Sequence, residues 1–110
     1  MTKKFLLKLS AALVTTIGLS TASIAAADNL EEGKQLFLSD AQPMACAICH
    51  TLEDAGSTGN IGPDLDDLRP EGDRIHKVLI EGMGAMPAFG DTLSEEQRNA
   101  IVDYVISAID

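Results

Sequence analysis

The chain has 110 residues, with 17 acidic residues against 8 basic ones and a formal net charge of −9. This length suits a single domain, and the acidic balance disfavours binding to nucleic acid or to anionic lipid. There is no Trp, one Tyr and only three Phe, so aromatic side chains supply little of any core.

Residues 1–27 have the pattern of a secretory signal peptide. Three lysines precede a short apolar stretch over 9–19, and three alanines end the segment before Asp28. Serine and threonine dilute the apolar stretch below what a membrane span requires. We therefore expect cleavage after residue 27, export to the bacterial periplasm, and a mature domain over 28–110 without a membrane span. That domain keeps all the acidic residues but loses three lysines.

Asp28 is placed to cap a first helix over 30–38, because acidic side chains favour helix N-termini. Leu30, Gly33 and Phe37 fall on one face of that helix. A glycine within a helix costs about 1 kcal/mol relative to alanine. Its presence on this face predicts that another helix approaches closely at Gly33.

Residues 46–50, Cys-Ala-Ile-Cys-His, carry the most informative motif. Two cysteines three positions apart, followed at once by a histidine, form the pattern of covalent c-type haem attachment. One turn of backbone brings both sulfurs to the two vinyl groups on one edge of a porphyrin and places the next side chain under the iron. The motif predicts one covalent haem c, with Cys46 and Cys49 as thioether sites and His50 as the proximal iron ligand.

Three other uses of paired cysteines compete with haem attachment. A redox-active dithiol needs a strand before it and a helix after it, whereas a Pro-containing loop precedes Cys46. A zinc site needs four donors, and His76 is the only other strong candidate. A plain disulfide between Cys46 and Cys49 would close a tight, strained ring. Haem attachment fits the surrounding sequence better than these alternatives.

Two loops follow the motif. Residues 51–60 are polar, and we interpret them as a flexible surface connection. The next segment contains a Gly-Pro turn. A ligand imidazole needs an acceptor on its second nitrogen to fix the ring, so we predict that the carbonyl of Pro63 pairs with His50. Leu65 and Leu68 are expected to pack on the ring.

Two helices are predicted in the C-terminal part. The first runs over 71–81 and ends at a glycine. The second begins with a capping box formed by Ser94 and a glutamine three residues later. Its apolar stripe contains Tyr104. This tyrosine is the expected neighbour of Gly33 and Phe37.

The loop between these helices holds two methionines, Met83 and Met86. An axial thioether has to come from a loop that crosses the distal face of the haem. Met86 is favoured because Pro87 forces it into an extended conformation, and Pro87 with Phe89 can shield the sulfur from water. We therefore expect Met86 to be the second iron ligand and Met83 to be the less favoured candidate. The alternative is that both are adaptable core side chains.

With these motifs in chain order, residues 28–110 resemble class I c-type cytochromes over nearly their whole length. The resemblance rests on the Cys-x-x-Cys-His motif, the Ile-Gly-Pro segment at 61–63, the Met86-Pro87 loop and the Ile-Val-Asp-Tyr-Val run at 101–105. It implies an all-α fold, a small helical bundle whose first and last helices cross beside the haem. It also implies His50 and Met86 as axial ligands and Pro63 as the support of His50.

Within that family, residues 46–59 and 86–89 resemble the small cytochrome subunit of bacterial sulfite dehydrogenases. That subunit accepts electrons from a molybdenum-containing catalytic subunit. The acidic composition differs from the lysine-ringed mitochondrial members of the family, so their docking residues cannot be transferred to this chain.

A six-coordinate iron leaves no site for a substrate, so the sequence predicts an electron carrier rather than an enzyme. The expected partners are a dehydrogenase as donor, such as a sulfite dehydrogenase, and a downstream oxidase or cytochrome as acceptor. Each is expected to have a basic docking surface. The rival function is a haem peroxidase or gas-binding sensor that uses a labile Met86 position.

Overall fold

The computed structural model describes residues 10–15, 18 and 21–110. Residues 1–9, 16, 17, 19 and 20 of the predicted signal peptide lie outside this description, and its cleavage stays a prediction. Residues 23–28 are exposed, and partial burial begins at Asn29. In the part of the chain that is described, no helix is long and apolar enough to cross a membrane.

The described chain is mostly helical, as predicted, and also contains a short two-stranded sheet. In chain order the elements are α1 (Thr21–Gln35), β1 (Thr51–Leu52), β2 (Ser57–Thr58), α2 (Leu65–Leu68), α3 (Gly72–Glu81) and α4 (Glu95–Ile109). A π-helical turn, Leu36–Asp40, extends α1. The prediction that Asp28 caps the first helix is wrong, because α1 begins at Thr21. The alanine-rich segment before Asp28 has a high helix propensity, which lets the helix run through it.

The backbones of α1 and α4 meet at Gly33. A Cβ atom at this position would overlap the carbonyl oxygen of Ala100 and lie 2.7 Å from Cβ of Tyr104. Phe37 packs edge-on against Tyr104, with ring centroids 5.9 Å apart and an interplanar angle of 63°. The close approach at Gly33 and the neighbours of Tyr104 are therefore confirmed.

The two C-terminal helices also match their predictions. α3 ends at Gly82, whose φ of 70° closes the helix. Ser94 Oγ accepts a hydrogen bond from the backbone N–H of Gln97 at 3.1 Å, and Gln97 Oε1 accepts one from the backbone N–H of Ser94 at 3.0 Å. The capping box at the start of α4 is thus confirmed.

The segment after the Cys-x-x-Cys-His motif is an ordered hairpin. β1 and β2 pair antiparallel, with Leu52 opposite Ser57, and a 3-10 turn at Glu53–Ala55 joins them. Leu52 is fully buried, and Ser57 is buried as well. The interpretation of 51–60 as a flexible surface connection is therefore wrong. The apolar side chain of Leu52 belongs to the core and anchors this polar segment.

The tip of the hairpin is held by three helices. Tyr104 Oη of α4 donates a hydrogen bond to Asp54 Oδ2 at 2.7 Å, and Lys34 Nζ of α1 lies 3.4 Å from the same oxygen. The backbone N–H of Glu53 donates to Asp66 Oδ2 of α2 at 2.8 Å. The hairpin is thus tied to the helical bundle at its tip as well as through its buried leucine.

Candidate functional site

An apolar cavity of about 260 Å³ lies against the core. All five candidate site residues border it: Cys46, Cys49, His50, Pro63 and Met86. The chain's other histidine, His76, does not line this cavity. Leu65 and Leu68 line it together with His50, and their packing on the ring stays a prediction. The remaining walls include Phe37, Ile61, Ile75, Val78, Leu79, Phe89, Ile101 and Val105. Residues that are far apart in the sequence therefore meet around one space.

The cysteine motif forms a single tight turn. A 3-10 turn spans Cys46–Ile48, and the carbonyl oxygen of Cys46 accepts the backbone N–H of Cys49 at 3.1 Å and of His50 at 2.9 Å. Both cysteines are free thiols. The turn brings two thiols and an imidazole to the wall of the same cavity, which is the arrangement that covalent haem attachment requires.

The imidazole of His50 is oriented by the backbone of Pro63. His50 Nδ1 lies 2.7 Å from the carbonyl oxygen of Pro63, the acceptor expected from the sequence. Because a carbonyl can only accept, Nδ1 must carry the proton. In the neutral imidazole, Nε2 then keeps its lone pair and can bind a metal.

Gly62 leaves room for the same ring. A Cβ atom at Gly62 would lie 2.6 Å from His50 Cε1 and 2.9 Å from Nδ1. The backbone N–H of Gly62 donates to the carbonyl of Cys49 at 2.8 Å. The glycine-proline segment thus lies directly on the motif, with its backbone against the imidazole, and the absence of a side chain at Gly62 allows this contact.

Met83 and Met86 form a two-residue hairpin at the cavity. The N–H of Met83 donates to the carbonyl of Met86 at 3.1 Å, and the N–H of Met86 donates back at 2.9 Å. Side chains of such a directly opposed pair lie on the same face. Both line the cavity, but Met86 packs against the core whereas Met83 is 62% exposed. The structure therefore distinguishes two methionines that the sequence could only rank.

Two residues at the site were missed in the sequence. Ser57 lies directly behind His50, and its hydroxyl donates to the carbonyl of His50 at 2.9 Å. Arg74 of α3 borders the cavity and forms no ion pair with any described residue. Two sequence signals were available. Ser57 is a hydroxyl residue seven positions after His50, and Arg74 is a basic residue on the helix that precedes the methionine loop.

The thiol environment does not suit a redox-active dithiol. Burial raises the pKa of the Cys46 thiol to about 11. Reactive dithiols instead have a lowered pKa that produces a thiolate near neutral pH. In the described residues, no group of three or more His, Cys, Asp or Glu side chains is arranged to hold a metal ion.

The donors and walls fit a covalent haem c. Cys46 and Cys49 offer the two thiols, His50 offers Nε2, and Met86 offers a thioether to iron. The apolar walls suit the macrocycle. Arg74 is the cationic side chain at the border of the cavity, where it can face a carboxylate of the group.

The chain matches known cytochromes in sequence and in fold. The family model described as cytochrome C oxidase, cbb3-type, subunit III matches residues 28–105. Chloroplastic cytochrome c6 of Chlamydomonas reinhardtii is 30% identical over an alignment 109 residues long, which covers 90% of this chain and 66% of that protein. Cytochrome c-551 of Halorhodospira halochloris is 28% identical over 80 residues, which cover 72% of this chain and 100% of that protein. This chain therefore spans just under two thirds of one relative and the whole of the other.

A solved structure agrees with these relatives. The crystal structure of the c-type cytochrome SorU from Sinorhizobium meliloti matches with a TM-score of 0.70 and 38% sequence identity, over 76% of this chain and 93% of that one. The fold, the family match and the two cysteines at attachment spacing point to the same conclusion. The chain belongs to the cytochrome c family and is a monohaem electron-transfer cytochrome, with one covalent haem c, that is similar to SorU.

Proposed function

We propose that this protein is exported to the bacterial periplasm and shuttles single electrons through a haem c whose iron is bound by His50 and Met86. The geometry of His50 carries the proposal. Its Nδ1 is occupied by Pro63, its Nε2 is left for a metal, and Met86 borders the same cavity. With His50 and Met86 both bound to the iron, no position on it would be left for a substrate.

When bound, haem c supplies one-electron exchange between Fe(II) and Fe(III). The chain's own residues keep the ligands in place in both oxidation states. Pro63 holds the proton on Nδ1 of His50 and fixes the ring, and the apolar walls exclude water from the cavity. As an iron ligand, the Met86 thioether would favour the reduced state and raise the potential. Arg74 supplies a positive charge at the border of the cavity.

The proposed donor is a dehydrogenase, such as a molybdenum-containing sulfite dehydrogenase, and the proposed acceptor is a downstream oxidase or cytochrome. Two observations support this choice: the resemblance of residues 46–59 and 86–89 to the sulfite dehydrogenase cytochrome subunit, and the 38% identity to SorU. The haem edge near Cys46 and Cys49 would be the transfer port. Ile48, between these cysteines, is 57% exposed and offers an apolar contact for a partner.

Two matched methionine variants test the ligand assignment. The oxidised holoprotein is expected to show the weak far-red absorption band of a sulfur-to-ferric-iron bond. The band should disappear in Met86→Ala and persist in Met83→Ala, because both residues come from the same hairpin but only Met86 packs against the core. Persistence of the band in Met86→Ala, or its loss in Met83→Ala, would contradict the assignment.

A further inference from the structure

Ser57 is a buried polar side chain whose hydroxyl is fully used. Ser57 is only 8% exposed, and the other side chains that are as deeply buried among the described residues are apolar or aromatic. Its Oγ donates to the carbonyl of His50 at 2.9 Å and accepts the backbone N–H of Leu52 at 3.0 Å. A buried hydroxyl is costly unless both its donor and its acceptor are satisfied. Here one partner, His50, is the last residue of the cysteine motif, and the other, Leu52, lies two positions after it.

These bonds add a third fixed point to His50. Its backbone N–H is bound to Cys46 at 2.9 Å, and its ring Nδ1 is bound to Pro63 at 2.7 Å. The hydroxyl of Ser57 adds the third fixed point by donating to the His50 carbonyl. Because the tip of the hairpin is itself tied to α1, α2 and α4 through Asp54 and Asp66, the hydroxyl comes from a support that is anchored in the bundle.

We propose that Ser57 is a positioning residue for the axial histidine, acting through the peptide backbone of His50. This inference rests on the proposed function, in which His50 binds the iron. Holding the His50 carbonyl restrains the backbone angle ψ of that residue, and hence the orientation of its side chain relative to the hairpin that follows. Contacts behind a metal ligand orient it and tune the metal. Ser57 therefore helps to set the plane of the imidazole relative to the iron.

Three variants of the haem-loaded protein test this role. Ser57→Ala removes the hydroxyl, and Ser57→Thr restores one at the same position. Thr58→Ala is the matched control, because it removes a neighbouring hydroxyl from an exposed residue of the same strand. Two properties are measured in each: the paramagnetically shifted proton resonances of the axial histidine and haem methyl groups, and the reduction potential.

Ser57→Ala is expected to keep the haem and the far-red band but to shift both the paramagnetic resonances and the potential. Thr58→Ala should match the wild type, and Ser57→Thr should move back towards it. If Ser57→Ala lowers only the thermal midpoint and leaves resonances and potential unchanged, the positioning role is overturned. The wild-type spectrum distinguishes this outcome from failure of the proposed function. If the wild type shows no paramagnetically shifted histidine resonance, His50 does not bind the iron.

A measurement on the wild-type holoprotein keeps the inference testable if Ser57→Ala does not fold. The amide of Leu52 donates to Ser57 Oγ, so its hydrogen exchange is expected to be as slow as that of buried helical amides in α4. Fast exchange at Leu52 would show that the contact does not persist in solution and would overturn the proposal.

Discussion

Single side chains fix both ends of the hairpin at 51–58. At its base the hydroxyl of Ser57 holds His50, and at its tip Asp54 accepts a hydrogen bond from Tyr104. That hydrogen bond, with a smaller contribution from the Lys34 ammonium, lowers the pKa of Asp54. Burial and the same hydrogen bond raise the pKa of Tyr104. At neutral pH the tyrosine is therefore a neutral donor and the aspartate a charged acceptor.

Tyr104→Phe removes the hydroxyl but keeps the ring against Phe37. We expect a loss of about 1 kcal/mol in the free energy of unfolding at neutral pH, because a hydrogen bond to a charged group is strong but the Asp54 carboxylate is half exposed. The thermal midpoint should fall by roughly 4–8 °C. Asn29→Ala is a control, since it removes an exposed hydrogen bond between α1 and α4 that does not involve a buried ring.

The difference between wild type and Tyr104→Phe should depend on pH. The folded pKa of Asp54 lies below its ordinary value of 3.8, so this carboxylate contributes stability above that value. The contribution is lost as the pH falls through the lowered folded pKa. Thermal unfolding from neutral pH to about pH 2 should show the two midpoints converging on acidification. A difference that stays constant would contradict the role of the Asp54 carboxylate.

At the scale of elements, the crossing of α1 and α4 determines the frame in which the site is built. Gly33 allows the two backbones to touch, and the Phe37–Tyr104 pair packs beside the contact. Ile101 and Val105 of α4 line the haem cavity as well as the core. A change in the distance between α1 and α4 would therefore move the side chains of α4 that line the cavity.

Gly33→Ala is expected to destabilise the protein by about 2 kcal/mol or more, because the added methyl group meets backbone atoms of Ala100 that cannot rotate away. The thermal midpoint of the holoprotein should fall by roughly 8–16 °C. Gly72→Ala is the control, since a Cβ atom there would lie 3.6 Å from the nearest neighbour, Val102 Cγ1. Equal stability of Gly33→Ala and Gly72→Ala would show that the helices can separate at little cost.

At the scale of the whole molecule, negative charge dominates. Residues 28–110 contain all 17 acidic residues and five of the eight basic ones. Such a field attracts cations and basic protein surfaces over a distance set by the Debye length, about 10 Å at 0.1 M salt. The walls of the cavity, in contrast, are apolar apart from Arg74 and His50. The long-range attraction of a redox partner thus depends on the acidic residues, whereas its short-range contact at the cavity depends on apolar ones.

Electron transfer with small redox complexes should reveal this field without a physiological partner. The rate of reduction by a cationic complex is expected to fall as ionic strength rises, whereas the rate with an anionic complex of similar size should rise. Stopped-flow absorbance of the haem measures both. Rates that are insensitive to salt for both complexes would show that the acidic residues do not act at the transfer edge.

Several features could be inferred from the sequence because they depend on spacing along a few residues. The attachment turn at 46–50 and the capping box at Ser94 follow from local backbone geometry and the donors it exposes. The Pro63 carbonyl, 13 positions from His50, followed from the need of a ligand imidazole for an acceptor and from the rigid Gly-Pro turn. The close approach at Gly33 followed from the cost of a glycine within a helix. In each case the physical cause lies within the segment or in a single exceptional residue.

Other features were decided only by the tertiary structure. The hairpin at 51–58 has too little hydrophobic periodicity to be recognised, and its order comes from Leu52 in the core and from Asp54, which meets Tyr104 across 50 positions of sequence. The separation of Met86 from Met83 likewise depends on which of the two paired residues lies against the core. The sequence by itself determined the chemistry of attachment, because that chemistry is local. The support behind His50 was decided by the fold, because its hydrogen bonds form only after distant helices have packed.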